Sequence, residues 1–198
     1  FMGLVGSEMC IRDRSTTGIL NSTIHQGKDL SYNNIMDADA AVSCVSEFKQ
    51  PGCVVIKHAN PCGAAVSDNV YDSLLKALNA DRLSAFGGIV ALNRECTTEI
   101  AKELSDFFIE IIVAPSFTKE SLEIFSSKKN LRVIELVSLD GFNDKTSVRN
   151  INGGLLLQET DTFTVDAKSL KIVTDSKISP NTYGTVSYTH LTLPTKDS

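Results

Sequence analysis

The chain alternates short apolar runs, rich in β-branched residues, with longer segments whose apolar residues recur at helical spacing. This alternation extends from residue 30 to residue 177 and limits the possible folds more than any other feature. The strand-like runs lie at residues 53–56, 89–92, 109–114 and 131–136. Strands separated by helices imply a largely parallel sheet that is covered by helices on both faces. We therefore predict an α/β fold with a mostly parallel sheet.

Polar residues that favour helix N-termini precede the helical segments. Asp37 is predicted to cap the first helix, whose apolar face contains Ala41 and Val45. Asp68 or Asn69 is predicted to cap the second. Capped helices of this kind would fill the connections between the predicted strands.

Composition excludes several classes of protein. The 198 residues carry a net charge of −5, whereas a nucleic-acid-binding protein usually has a basic face. No segment approaches the roughly 20 apolar residues of a membrane span. The five cysteines are odd in number and form no CxxC pair, so the sequence indicates neither a disulfide framework nor a zinc knuckle. We expect a cytoplasmic protein without nucleic-acid or membrane partners.

The two ends of the chain differ from its middle. The stretches SEMCIRDR and SYTHLTLPT resemble translated sequencing-adapter sequence, and neither has the composition of a signal peptide. We expect residues 1–15 and 186–198 to be non-native ends that pack little against the core. Residues 16–185 would then be the domain proper, and a fragment of a longer protein.

The stretch VVIKHANPCG places Lys57 and His58 where an apolar strand ends. In α/β sheets, ligands bind beyond the carboxyl ends of the strands. Histidine titrates near neutrality and can exchange a proton, and a lysine can stabilise developing negative charge. Because adjacent strand residues face opposite sides, both side chains would reach one site only if the strand has broken at Asn60-Pro61. The alternative is a surface lysine beside a hydrogen-bonded histidine.

A zinc deaminase is a second interpretation of the same stretch. That chemistry needs an HxE…PCxxC arrangement. Here Asn60 replaces the glutamate and Ala65 replaces the second cysteine, so both the proton shuttle and the metal site are incomplete. Cys62 is interpreted as a small buried apolar residue rather than a nucleophile.

Two further positions are candidates for a site. Gly87 lies in a Gly-Gly pair that is either a close approach to a ligand or a tight turn into a strand. Glu110 lies within an apolar strand, where a buried carboxylate would be costly without a partner. It either faces solvent on an edge strand or serves a site.

Five segments together resemble the family of bifunctional purine biosynthesis enzymes, which join AICAR formyltransferase to IMP cyclohydrolase. They occur in the family's order and cover most of residues 26–175. The segments are QGKDLSYNNIMDADAA (26–41), KHANPCGAA (57–65), SAFGGIVALNRE (84–95), EIIVAP (110–115) and INGGLLLQ (151–158). The resemblance is to the transformylase part and implies a cytidine deaminase-like α/β fold.

The resemblance also implies an activity and roles for particular residues. The family transfers a formyl group from the co-substrate 10-formyltetrahydrofolate to the AICAR amine in the synthesis of IMP, without a metal, and acts as a homodimer. His58 matches the catalytic proton acceptor and Lys57 the adjacent lysine that assists the transition state. Gly87 and Glu110 match positions that contact AICAR. At the position of Glu110 some relatives have Asp instead of Glu.

The resemblance leaves parts of the family's site unmatched. The residues that bind the AICAR phosphate and the folate are expected to lie outside this chain, so we expect the chain alone to be inactive. The other interpretation of the whole sequence is a non-catalytic nucleotide-binding or interaction module.

Overall fold

A computed structural model describes residues 18–138 and 146–160 of the chain. The chain divides into two compact units, Phe1–Asn143 and Asp144–Ser198, which are described separately. The predicted non-native ends, residues 1–15 and 186–198, lie outside the described residues. Within the described ranges, no helix is long and apolar enough to cross a membrane.

A six-stranded sheet lies at the centre of the first unit. Its strands are β1 (Thr23–Gln26), β2 (Gly52–Lys57), β3 (Asn60–Val66), β4 (Gly88–Leu92), β5 (Ile109–Ala114) and β6 (Arg132–Glu135). The helices are α1 (Tyr32–Ser46), α2 (Val70–Ala80), α3 (Arg82–Ala85), α4 (Thr98–Ser105) and α5 (Lys119–Phe125), and a 3₁₀ turn, Ile19–Asn21, precedes β1. The predicted α/β class is confirmed.

The strand order is β1-β6-β5-β4-β2-β3. Strands β4, β5 and β6 pair in parallel, while β2 is antiparallel to both β4 and β3, and β1 is antiparallel to β6. Strands β3 to β6 therefore share one direction, and β1 and β2 run the other way. The reversal at β2 arises because a two-residue loop joins it to β3, and a loop that short connects only antiparallel strands.

Helices cover both faces of the sheet, as predicted. Helices α2, α4 and α5 pack one face with Leu74, Leu104 and Phe125, and α1 packs the other with Val42 and Val45. Strand β2 lies between them, with alternate residues on opposite faces, and its residues from Cys53 to Ile56 are buried. Burial on both faces explains the continuous apolar run in the sequence, because each fully buried Val or Ile contributes roughly 1.5–3 kcal/mol.

The start of helix α1 differs from the prediction. The N-cap is Ser31, whose Oγ accepts from the Asn34 amide nitrogen, while the Asn34 side chain accepts from the Ser31 amide nitrogen. This reciprocal pair satisfies two backbone donors that have no partner within the helix. The prediction that Asp37 caps this helix was wrong, since Asp37 lies in its second turn. Asn69 caps α2, as one of the two predicted alternatives proposed.

Strand β3 was not predicted, because its sequence NPCGAAV contains a proline and a glycine. Both fit here: β3 is an edge strand, where a missing backbone donor is tolerated. A Cβ at Gly63 would overlap the carbonyl oxygen of Ala77, so the glycine permits α2 to approach the strand closely. Tertiary packing therefore overrides the low strand propensity.

The described part of the second unit is a hairpin of β7 (Thr146–Ile151) and β8 (Gly154–Glu159), which pair antiparallel. The loop between them is Asn152-Gly153. All residues of both strands are exposed, including the run Leu155, Leu156 and Leu157. The segment INGGLLLQ, quoted above, therefore forms the turn of this hairpin and most of β8.

Candidate functional site

Strand β2 turns into β3 through a loop of His58 and Ala59, flanked by the paired residues Lys57 and Asn60. The φ angles are 55° at His58 and 58° at Ala59, so both residues are left-handed. A two-residue hairpin of this type normally places Gly, Asn or Asp at these positions. A residue with a Cβ held there costs roughly 1–3 kcal/mol, and such strain concentrates at functional sites. The loop is therefore a candidate site.

The sequence required a break at Asn60-Pro61 for both side chains to reach one site. Asn60 and Pro61 instead belong to β3, and the chain turns at His58, two residues earlier. The His58 side chain is exposed, and among the described residues none makes a hydrogen bond to its imidazole. Its ring is therefore free to meet a ligand.

Lys57, at the end of β2, is half-buried and connects this strand to the chain before β4. Its Nζ donates a hydrogen bond of 2.8 Å to the carbonyl oxygen of Phe86. An ammonium group has three donors, so this bond fixes the direction of the side chain while leaving donors for a ligand. The predicted lysine is thus held beside the residue that precedes Gly87.

Gly87 continues the connection toward β5. Its amide donates to the carbonyl oxygen of Phe108 at 2.9 Å, and its φ of 74° lies in the left-handed region. A Cβ at this position would come within 3.3 Å of the Phe108 ring. The backbone angle and the nearby ring both favour glycine, so Gly87 forms a half-buried turn into β4. The alternative of a close approach to a ligand stays a prediction.

Glu110 lies at a β-bulge in β5. Gly88 pairs with Ile109 and Ile89 pairs with Ile111, so Glu110 has no residue opposite it on β4. Bulges redirect a side chain at the rim of a sheet. The Glu110 side chain is half-buried and its Oε2 accepts from Asn34 Nδ2 at 3.2 Å. The carboxylate therefore has a partner and is not simply solvated on an edge strand.

Helix α1 provides that partner and one more. The capping interaction with Ser31 uses the Oδ1 atom of Asn34, which leaves its Nδ2 to donate to Glu110. One turn further, Asp37 Oδ1 accepts from the Ala59 amide at 2.8 Å. Sequence reasoning missed both roles. The only signal in the sequence is that residues 34 and 37 are three apart, which places them on one helix face.

These contacts close into a loop that we call the contact ring. It runs from Lys57 to Phe86, through Gly87 to Phe108, from Glu110 to Asn34, and from Asp37 to Ala59 and His58. All four residues predicted for the site belong to it. The structure therefore brings Lys57, His58, Gly87 and Glu110 to one end of the sheet.

The sequence predicted a site beyond the carboxyl ends of the strands, and this end of the sheet meets that description for only some of them. It is the carboxyl end of β2, but Ile56 pairs with Ile89, so it is the amino end of β4 and of its parallel neighbour β5. The expectation that a site lies at carboxyl ends holds only for β2. The reason is the antiparallel pairing of β2, which a rule for purely parallel sheets does not cover.

The Cys62 thiol, close to the His58 loop, is a poor nucleophile. Burial raises the pKa of Cys62, Asp81 raises it further, and the thiol's own backbone hydrogen bond and Lys57 oppose the shift. Cys62 Sγ contacts the carbonyl oxygen of Val55 at 3.5 Å. Burial also raises the pKa of Cys53, which lies in the core. Cys62 is partly buried and packs against the core beside α2, α4 and α5.

No group of three His, Cys, Asp or Glu side chains suited to a metal ion occurs in residues 18–138 and 146–160. Asn60, which stands in the position of the deaminase glutamate, uses its Nδ2 to donate to the carbonyl oxygen of His58 at 2.9 Å. This hydrogen bond gives Asn60 a structural role within the loop.

The sequence matches the family described as AICARFT/IMPCHase bienzyme over residues 7–190. It is 46% identical over 157 residues to the bifunctional purine biosynthesis protein PurH of Thermoanaerobacter sp. (strain X514), covering 79% of this chain and 30% of that protein. PurH of Halalkalibacterium halodurans is 49% identical over 148 residues, covering 75% and 29%. Acinetobacter baumannii RibD overlays with a TM-score of 0.35 and 12% identity over 50% of this chain and 33% of that one, which supports no argument.

The chain therefore belongs to the AICARFT/IMPCHase bienzyme family, which confirms the resemblance found in its sequence. It spans about 30% of the length of the relatives that it matches. The more specific expectation of a cytidine deaminase-like fold stays a prediction.

Proposed function

We propose that this chain is part of an AICAR formyltransferase, in a purine biosynthesis enzyme that also has IMP cyclohydrolase activity. The reaction transfers a formyl group from 10-formyltetrahydrofolate to the amine of AICAR. The observation that carries the proposal is the contact ring, which gathers a histidine, a lysine, a half-buried glycine and a carboxylate at one end of the sheet. The relatives' description as bifunctional purine biosynthesis proteins supports it.

His58 is assigned the proton transfer. The AICAR amine is a weak nucleophile because it is attached to an aromatic ring beside a carboxamide. Its attack on the formyl carbon forms a carbon–nitrogen bond and leaves a positive charge on the nitrogen. An imidazole within reach removes a proton from this charged nitrogen. It can pass the proton to the folate nitrogen as the bond between the formyl carbon and that nitrogen breaks. The exposed ring of His58 suits this role.

Lys57 is assigned the stabilisation of the oxyanion that develops on the formyl oxygen. A preorganised cation is worth most when it does not reorganise during the reaction. The hydrogen bond from Lys57 Nζ to Phe86 holds the ammonium group in place before substrate arrives. The lysine thus offers a fixed positive charge one residue away from the proton acceptor.

Glu110 and Gly87 are assigned to AICAR binding. The bulge at Glu110 and its bond to Asn34 Nδ2 hold the carboxylate in one orientation, with lone pairs left to accept from substrate amino groups. At Gly87 the lack of a side chain lets a flat ring approach the backbone. We further propose that the complete protein is a homodimer, as the family resemblance implies. We also propose that this chain alone is inactive, because it spans about 30% of the length of its relatives.

The test is the His58→Ala substitution in an enzyme of full family length that contains this segment. We expect tetrahydrofolate formation to fall by about 10²–10⁴, the usual contribution of a general base. Cyclohydrolase activity of the same preparation should be unchanged, which controls for folding. His25→Ala is the matched control, because His25 lies on edge strand β1 and contacts Glu135 at 3.0 Å. Near-full formyl transfer by His58→Ala would remove His58 from its role and favour a non-catalytic binding module.

A further inference from the structure

The contact between Asp37 and the His58 loop serves neither helix capping nor strand pairing. Asp37 lies in the second turn of α1, six residues after the N-cap Ser31, and its side chain is half-buried. Its Oδ1 accepts from the Ala59 amide at 2.8 Å across 22 residues of sequence. In a two-residue hairpin the amides of the loop residues take no part in the strand ladder. The carboxylate therefore bonds to a donor that would otherwise face solvent.

The bond falls on Ala59, the loop residue directly after His58. Both loop residues are left-handed, and neither is a glycine. Such a conformation persists only where the surroundings impose it. A hydrogen bond between a carboxylate and an amide is charge-assisted and stronger than a neutral one, so Asp37 is well suited to impose it on Ala59. The Ala59 N–H belongs to the peptide unit that also contains the His58 carbonyl, so the bond fixes the backbone next to the His58 side chain.

We propose that Asp37 is a positioning residue, which holds the His58 imidazole in its working orientation through the Ala59 amide. The proposal rests on the formyl-transfer role assigned to His58 above. Asn34, one turn earlier on the same helix, holds Glu110 through a 3.2 Å bond. A single rigid helix thus fixes both the proton acceptor and a substrate-binding carboxylate, and it sets the distance between them.

The first measurement uses the 198-residue chain and does not depend on activity. Backbone ¹³C chemical shifts and amide-proton protection at Ala59 report its left-handed conformation and its hydrogen bond. Asp37→Ala should abolish the protection and move the Ala59 shifts toward ordinary hairpin values. Asp37→Asn, whose amide oxygen still accepts, should keep both. Asp68→Asn, which removes the charge of an exposed aspartate ahead of α2, should leave the Ala59 signals unchanged.

The second measurement is kinetic and uses an enzyme of full family length with the same substitutions. Asp37→Ala should lower kcat by up to about 100-fold, the effect of misplacing a reacting group by about 1 Å. KM for AICAR should change little, because Asp37 is not assigned any contact with substrate. Asp37→Asn should retain most of kcat. Adding Ala59→Gly to Asp37→Ala should restore part of kcat, because glycine adopts a positive φ without support.

Three results would overturn the proposal. One is an unchanged Ala59 signal in Asp37→Ala. Another is a disrupted loop with unchanged kcat. The third is a fall in kcat that only follows a lower unfolding midpoint and that Ala59→Gly does not relieve. Failure of the proposed function would look different: His58→Ala would keep its activity, while the Ala59 signals would still depend on Asp37.

Discussion

Within residues 18–138 and 146–160, two hairpins have loops of two residues, and they differ in where the left-handed backbone falls. Between β7 and β8 the loop is Asn152-Gly153, and the positive φ of 84° falls on the glycine. Between β2 and β3 the loop is His58-Ala59, with positive φ at both. Among the described non-glycine residues, only these two have a positive φ. The chain thus avoids the backbone strain in one hairpin and accepts it in the other, at the candidate site.

The hairpins also differ in how they are packed. Strand β2 lies inside the sheet, and Ile56, next to the loop, is 1% exposed. In the second hairpin Leu155, Leu156 and Leu157 are 61%, 52% and 69% exposed. Burial of β2 stabilises the fold enough to hold a strained loop, whereas a hairpin with exposed side chains gains little free energy from burial. The unfavourable loop therefore occurs in the hairpin that is able to support it.

The largest expected effect tests this difference in packing. Ile56→Ala should lower the free energy of unfolding of the chain by about 2–5 kcal/mol, because it removes buried methyl groups and leaves a cavity. The matched change in the exposed hairpin, Leu157→Ala, should stay within about 0.5 kcal/mol. Urea unfolding measures both. Equal losses would show that the second hairpin is as well packed as the first.

An intermediate effect on stability is expected from glycines in the second strand of each hairpin, β3 and β8. Gly63→Ala should destabilise the chain by about 1–3 kcal/mol, because the new methyl group overlaps the Ala77 carbonyl oxygen on α2. Gly154→Ala is the control, because the atom nearest to a new Cβ at position 154 would be a side-chain carbon of Ile151, 4.0 Å away. Thermal unfolding of both variants compares them. A tolerated Gly63→Ala would contradict the close approach of α2 to β3.

The smallest expected change in the free energy of unfolding is an increase. Replacing the strained loop by Asn-Gly (His58→Asn with Ala59→Gly) should raise the free energy of unfolding by about 1 kcal/mol, because both residues tolerate a left-handed backbone. Gly153→Ala in the other loop should lower it by a similar amount. Chemical denaturation of the chain measures both. A destabilised Asn-Gly variant would mean that His58 and Ala59 are not strained.

Strands buried on both faces were the easiest elements to predict. Residues 109–114 form β5 as predicted, and β4 begins one residue before the predicted run. A continuous apolar run of this length, rich in β-branched residues, is typical of a buried strand. Strand β3 was missed because its proline and glycine oppose strand formation, and only its position at the edge, against α2, makes them acceptable. The reversal of β2 was missed for the same reason, since β3 defines it.

The sequence by itself determined the α/β class, the family, and the chemical types at Lys57, His58, Gly87 and Glu110, because these depend on residue identity and local spacing. Only the tertiary structure decided which groups meet. The bond from Asn34 to Glu110 spans 76 residues, and the bond from Ala59 to Asp37 spans 22. Both depend on how α1 lies across the sheet, which is set by the packing of Val42 and Val45 against the strands. No local pattern encodes that placement, so the support of the His58 loop by α1 becomes visible only in the folded chain.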